Sequence, residues 1–461
     1  MSNIILPANS AADSAVELRV PNALNFMGSS DDARFQRTNA SSGSSTQATL
    51  SAWIKYSGNV SQSVPIFMAP DAGGDSRFYI QITSAEEMGG TFRYPDCDFS
   101  STNDEKLRDP AAWYHIVAVI NTNDGTAADR LKIYINNQRV TLTFTTGGGL
   151  GSGANIHFNT SGYKNIFGYN DVTNDGVGSL TDMYFSEVIK CDGQVLAPTD
   201  FAETDPDTGI WVPKTGLADS LTFGTTGYYY NFADSGDLAN DVSGNNNDAS
   251  AVTNTTQSLD TPSNNFATLN SLDKNLSNVA LSEGNLKMTT SATNVGGRAT
   301  MGVSSGKWFW EVKIEDKGVN VALIGIAQPT NWDLNYVGSS TTSYAYSSGA
   351  EKYNNGASSS YGASWTTGDY IGVALNMDDG EIAFYKNGSS QGTAYTGIPT
   401  TDFMLPAFSG QSGTDFLANF GNPQFTISSG NTDDNGYGNF EYAPPSGYLS
   451  LCSANLSKVL G

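Results

Sequence analysis

The sequence predicts an all-β protein built as two tandem antiparallel β-sandwiches. Three observations carry this. Apolar residues recur with period two in short runs bounded by Gly, Asn, Asp and Ser, the pattern of strands and turns. Of 461 residues 49 are Gly, 11% are aromatic and only 15% are charged, which suits short strands and speaks against coiled coil. Finally, one hairpin pattern is written twice, at Arg130–Phe144 and Gly380–Gly397: alternation, then an Asn-led turn, then return.

Taken in order, Ala48–Ser57 alternates around Leu50, Ala52, Ile54 and Tyr56, and Ala112–Thr122 is a longer apolar run with β-branched residues. Arg130–Phe144 follows, with Asn136-Asn137 as its turn because Asn tolerates positive φ. "NIFGYND" and "LTDMYFSEVIKCDGQ" continue the strand set. Pro198–Glu203 is the helix candidate, with Thr199 or Asp200 as its cap. Residues 205–265 hold few large apolar residues and much Asn, Asp, Ser and Gly; they read as ordered loop or linker, with Tyr228–Phe232 a last strand before it. A second β region begins near Phe266. Within it Gly306–Asp316 sets Trp308, Trp310, Val312 and Ile314 on one face and Phe309, Glu311, Lys313 and Glu315 on the other. Asp379-Gly380 and Asn387-Gly388 are two-residue turn signals, so two hairpins share the strand Glu381–Lys386. The expected organisation is an N-terminal docking segment 1–22, a first sandwich 23–204, linker and closing strand 205–270, a second sandwich 271–425 and a tail 426–461, where Pro444-Pro445 bars a sheet interior.

The net charge is −23. Residues 1–270 carry 30 acidic against 14 basic residues, and residues 271–461 carry 16 against 9. Such a chain repels phosphate backbones, so no nucleic-acid partner is expected. No 18-residue apolar stretch occurs, so no membrane insertion is expected. Cys97, Cys191 and Cys452 are far apart and form no CxxC or Cys/His cluster, which points to neither a disulfide framework nor zinc. The first residues hold no basic leader, and synthesis in a cytoplasm is expected.

"GKWFWEVKI", "IGIA", "GDYIGVALNMDDGEIAFYKNGSSQG" and "LPAFSG…ANFG" together resemble the SPRY domain, over about Asn275–Gly421. "LSAWIKYS…WYHIVAVI…DRLKIYINNQRV" is similar to a laminin-G or concanavalin-like lectin jelly roll, over about Ala23–Phe201. Both resemblances imply a two-sheet sandwich. The joining segments "AETDPDTGIWVPK", "GYYYNFADSGDLANDVSGNNNDAS", "LDTPSNNFATLN" and "PPSGYLSLCSANL" resemble virion proteins of tailed bacteriophages. That resemblance implies a virion structural protein: a short fibre, tail accessory or capsid decoration, made in the host cytoplasm. It would dock on other virion proteins through residues 1–22, form a homo-oligomer (a trimer at a guess), and adhere to a host-surface glycan or protein.

No catalytic residue is expected. A glycoside hydrolase of this architecture needs paired carboxylates facing the sugar; the nearest stretch, Glu311–Glu315, has Lys313 where the middle Asp belongs. His115 lies in an apolar strand and reads as structural. No cofactor is expected. Calcium is the one metal the laminin-G resemblance leaves open, and the Asp-rich loops at Asp31-Asp32, Asp124/Asp129 and Asp234/Asp237/Asp241/Asp248 do not place it. Partner contacts are expected between Gln328 and Trp365, the stretch matching the SPRY variable loops. Trp332, Tyr336, Tyr346, Tyr353, Tyr361 and Trp365 would offer amphipathic rings and Asp333 an acceptor. A dedicated receptor- or glycan-binding fibre is the alternative reading, and a polysaccharide-cleaving enzyme is the alternative of another class.

Overall fold

The computed structural model describes residues 19–26, 33–56, 63–70, 76–92, 97–101, 106–145, 148–168, 183–206, 208–330, 332 and 334–460. The chain divides between Ser263 and Asn264 into two compact units. Segment 1–22 therefore falls almost wholly outside the described residues, as do Asp31-Asp32 and Asp333.

In the first unit two antiparallel eight-stranded sheets face each other. One is built on Gln47–Tyr56, flanked by Tyr114–Asn121 and Met183–Asp192; the other runs through Val64–Pro70, Ser76–Ile82 and Met88–Phe92. Leu50, Ala52, Ile54 and Tyr56 enter the core between the sheets, as their alternation requires. The residues of the opposite parity, Ser51, Trp53 and Lys55, are buried as well. A second layer covers them, made by the chain after Asp192. Phe201, Leu217, Phe223 and Tyr229 pack on Val117, Val119 and Ile189.

That layer corrects the linker reading of residues 205–270. Tyr228–Tyr230 pairs with Met183–Asp192, Ala251–Thr253 with Arg34–Thr38, and Thr255–Ser258 with Ala23–Phe26. The segment is poor in apolar residues because short polar side chains order its backbone. Asp241 is central: Oδ1 accepts the N–H groups of Tyr229 and Ser243, and Oδ2 accepts that of Asn247 and the Ser243 hydroxyl, at 2.8–3.0 Å. Charge is buried here too. The Lys55 Nζ lies 2.6 Å from Asp260 Oδ2, whose partner oxygen accepts the Trp113 indole N–H at 2.9 Å. The helix candidate is a single turn, Pro198–Phe201, with Asp200 accepting the Ala197 N–H.

The second unit pairs a seven-stranded with an eight-stranded sheet. Trp308, Trp310, Val312 and Ile314 all lie in the core between them. The opposite face of the same strand is covered as well, which corrects the reading of residues 426–461 as a tail. Leu449–Ser450 adds in parallel beside Trp308-Phe309, Phe440 stacks edge-on against Phe309, and Leu451 and Leu456 join the core. Buried Asp433 accepts the Ser450 N–H and the Asn455 amide, tying this segment down. The chain then ends in the helix Ser453–Leu460.

The two hairpins are equivalent in detail. Asn136 and Asn387 both adopt left-handed backbone, φ 48° and 47°. Each donates its N–H to the neighbouring strand at 2.9 Å, to His115 O and Tyr370 O, and each side-chain oxygen accepts that same residue's N–H at 2.8 Å. Gly388 follows at φ 76°. The other expected turn differs: Asn376 faces Glu381 across the ladder, so four residues, Met377–Gly380, form the connection. Asn376 Oδ1 accepts the N–H groups of Asp378 and Asp379 and so closes the longer loop.

Candidate functional site

The stretch Gln328–Trp365 folds over and beside the outer face of the seven-stranded sheet. The floor is made of small side chains, Ala327, Ala345 and Ala407, with Leu323. Small residues are required because the strands approach closely: a Cβ on Gly325 would stand 1.9 Å from the Tyr344 carbonyl oxygen. Trp332 and Val337 pack down onto this floor. The Trp332 indole N–H donates to Tyr336 O at 3.2 Å, and the Arg298 guanidinium lies 5.3 Å from the ring centroid. Arg298 is itself held by two 2.7 Å bonds to Asp273 and donates to Gln328 O at 2.5 Å. A buried bidentate ion pair thus fixes the base of the loop. Leu334 is forced to φ 60°, unusual for a branched side chain, and its carbonyl accepts the Gly296 N–H.

What this scaffold presents differs from the expected set. Trp332, Tyr346 and Trp365 are 5%, 0% and 2% exposed and belong to the interior. Tyr346 stacks edge-on with Trp365 and Tyr361 and packs on Phe384. A ring in a non-periodic loop fills whatever gap lies beneath it, and here the gap is core. Tyr361 is half-buried and bridges the sheets, donating to Gly392 O at 2.5 Å and accepting the Phe384 N–H at 3.2 Å. Tyr336 and Tyr353 are half-exposed neighbours, with ring centroids 6.2 Å apart in edge-to-face contact. Leu334 and Glu351, absent from the expected set, join them. The Tyr353 hydroxyl donates to Glu351 Oε2 at 2.8 Å and the Ser358 hydroxyl to Oε1 at 3.1 Å. The alternation of Glu351 and Tyr353 in "EKYN" is the sequence signal that could have found Glu351.

His115 is fully buried, and burial lowers its pKa to about 3. Its Nδ1 accepts the Trp211 indole N–H at 3.1 Å, so Nε2 carries the proton and donates to Ser51 Oγ at 2.9 Å. That tautomer cannot activate the serine. Glu311 is buried, which pushes its pKa up to about 7. Its carboxylate is occupied by the N–H groups of Glu441 and Tyr442 and the Asn419 amide. Asp124, Asp234 and Asp237 each accept a backbone N–H two residues ahead, as in an Asx turn. No cluster of three metal-binding side chains occurs among the described residues. A cavity of about 20 Å³ between the sheets of the first unit is lined by Leu50, Ala52, Ile66, Ile80, Ile116 and Phe167, apolar and too small for a ligand.

Comparison with known proteins fits this geometry. Residues 28–178 match the concanavalin A-like lectin/glucanases superfamily and residues 307–423 match the SPRY domain. A concanavalin-like domain precedes a SPRY domain. The chain is 37% identical over 102 residues to the E3 ubiquitin-protein ligase RKP of Arabidopsis thaliana, covering 22% of this chain and 8% of that protein. It is 32% identical over 162 residues to Ran-binding protein 9 of Xenopus laevis, covering 32% and 29%. It is 29% identical over 161 residues to the ATP-dependent RNA helicase Ddx1 of Drosophila melanogaster, covering 34% and 20%. The chain thus spans less than a third of the length of each of these relatives. The crystal structure of the SPRY domain of human HERC1 aligns with a TM-score of 0.29 at 22% identity, covering 32% of this chain and 96% of that one.

These relatives overturn the expected virion role. They are eukaryotic cellular proteins, so the tailed-phage assignment, the virion localisation and the structural or fibre function are set aside. The expected virion partners, and a homo-oligomer argued from virion symmetry, lose their basis with it.

Proposed function

We propose that this chain is a non-enzymatic recognition protein whose SPRY unit binds a protein partner at the surface of Leu334, Tyr336, Tyr353 and Glu351. The single observation carrying this is the half-exposed tyrosine pair beside left-handed Leu334, held rigid by the Arg298–Asp273 pair. Pre-set aromatic rings lose little entropy on binding. Ran-binding protein 9 is by its name a protein that binds another protein, which supports a partner of the same class here. The non-enzymatic part is supported by His115 and Glu311, whose polar atoms are engaged inside the fold. No cofactor enters the proposal; Asp124, Asp234, Asp237, Asp241 and Asp248 each accept backbone N–H groups.

The test is quantitative affinity capture with the full chain and with the Tyr336→Ala/Tyr353→Ala variant. Proteins held by the wild type and lost at least ten-fold by the variant, at an unchanged melting temperature, are the expected result. Identical captured sets would refute the assignment.

A further inference from the structure

One edge strand of the SPRY unit is exposed along its whole length. Ala357–Ser360 ends the seven-stranded sheet and pairs only with Glu351–Asn354, through a two-residue Asn355-Gly356 turn with φ 53° and 73°. Among the described residues it is the unit's one edge strand exposed at every position. Edges are normally blunted by bulges, charges or proline. Ser389–Tyr395 has two register breaks, and Leu269–Lys274 has a break and ends in Asp273-Lys274. Val279–Ser282 is partly covered, with Val279 buried, its carbonyl accepting the Lys274 ammonium at 2.6 Å and its N–H donating to Asn275 O. Ala357–Ser360 has none of these. Asn354↔Ala357 and Lys352↔Ser359 are the hydrogen-bonded pairs of such a hairpin, so the N–H and C=O groups of Ser358 and Ser360 point away from the sheet.

Beside this edge stands a carboxylate without a cation. Glu351 makes no ion pair among the described residues, and its Oε1 rests on the Ser358 hydroxyl, leaning toward the open edge. A strand added there would run about 4.8 Å from Ser358, with small serines between its side chains and the carboxylate. We propose that Ala357–Ser360 accepts an extended segment of a protein partner as an added strand, with a lysine or arginine of that segment paired to Glu351. A second copy of this chain is the wrong occupant. The edge strand of a second copy, Ala357–Ser360, offers no lysine or arginine to meet Glu351, on a chain of net charge −23, and four residues cover far less than the roughly 800 Å² per partner of a stable interface. The proposal rests on the reading of the SPRY unit as a protein-binding module and specifies how the partner's backbone is read.

The test selects from a yeast-displayed library of random seven-residue peptides on the full chain. The strongest peptide is then resynthesised with its alternate amides N-methylated. The expected outcome is a lysine or arginine in an alternating pattern, at least ten-fold weaker binding after N-methylation, and at least ten-fold weaker binding by Glu351→Gln. Ser358→Pro removes an outward N–H and should weaken binding similarly, and the N-methylated peptide gives the same information without altering the protein. Peptides that tolerate N-methylation and Glu351→Gln but lose binding in Tyr336→Ala overturn the strand-addition mode while upholding protein recognition. Recovery of no peptide overturns both.

Discussion

Replacing Lys190 by Met should change how the stability of the first unit depends on pH. Lys190 Nζ is fully buried, with Asn165 Oδ1 at 2.9 Å and the Tyr228 ring centroid at 5.2 Å. One strong acceptor and an aromatic face do not replace the hydration of an ammonium, and burial lowers its pKa from 10.5 to about 7; Asp192 opposes the shift and Arg37 adds to it. The unfolded chain holds the proton up to 10.5 while the folded chain releases it near 7, so the unfolded state binds more protons between those values. Stability contributed by this site therefore rises with pH in that window. The stability gap between the proteins with and without the lysine should therefore narrow by about 2 kcal/mol between pH 7 and 9. At pH 7 the lysine costs about 4 kcal/mol relative to its neutral form, so Lys190→Met should be the more stable protein there. Asn165 Oδ1 is not orphaned in the variant, because the Tyr228 hydroxyl also donates to it at 3.2 Å. The assay is urea unfolding of both full-length proteins at pH 6, 7, 8 and 9. A stability difference that stays constant from pH 7 to 9 would refute the buried-ammonium argument.

Two further outcomes follow from the same physics. Asp260→Ala removes the carboxylate facing the Lys55 ammonium and the Trp113 indole, and should cost about 3–5 kcal/mol in denaturant unfolding; a loss below 1 kcal/mol would mean the pair is solvated. Asn136→Ala and Asn387→Ala each put alanine, which tolerates positive φ less well than asparagine, into the turn and delete the bond to the neighbouring strand's N–H; Asn387→Ala also removes the Nδ2 bond to Asp369, so each should cost about 2–3 kcal/mol. The two losses should fall on different units, which separate melting transitions would resolve.

Much of the architecture was legible in the sequence because it rests on local rules. The period-two faces of Gln47–Tyr56 and Lys307–Asp316 place Leu50, Ile54, Trp308 and Trp310 in the cores as expected, and Asn at a hairpin turn announces positive φ. The second layers were not legible. Residues 205–263 are ordered by Asp241, which gathers N–H groups of its own segment, and by Asp260, which meets Lys55 and Trp113 far off in the chain, and residues 424–460 by Glu311 and Asp433, so hydrophobic patterning is silent about both. The candidate site was half legible. Composition located the aromatic stretch, but without periodicity it could not separate Trp332 and Tyr346, which face the interior, from Tyr336 and Tyr353, which do not. The virion expectation failed for a different reason: it rested on resemblance of connecting segments, and no side-chain chemistry stood behind it.

The clamp on Glu311 bears on how this protein should be cut for expression. The SPRY match ends at residue 423, yet the carboxylate in the middle of its longest strand is satisfied by N–H groups from Glu441 and Tyr442. A recombinant fragment trimmed to the matched segment would bare that carboxylate together with the Phe309 ring. It would also discard the strands at Leu269–Lys274 and Val295–Ala299 from one sheet. The workable fragment runs from residue 264 to residue 460, some eighty residues longer than sequence matching alone would lead a cloner to order.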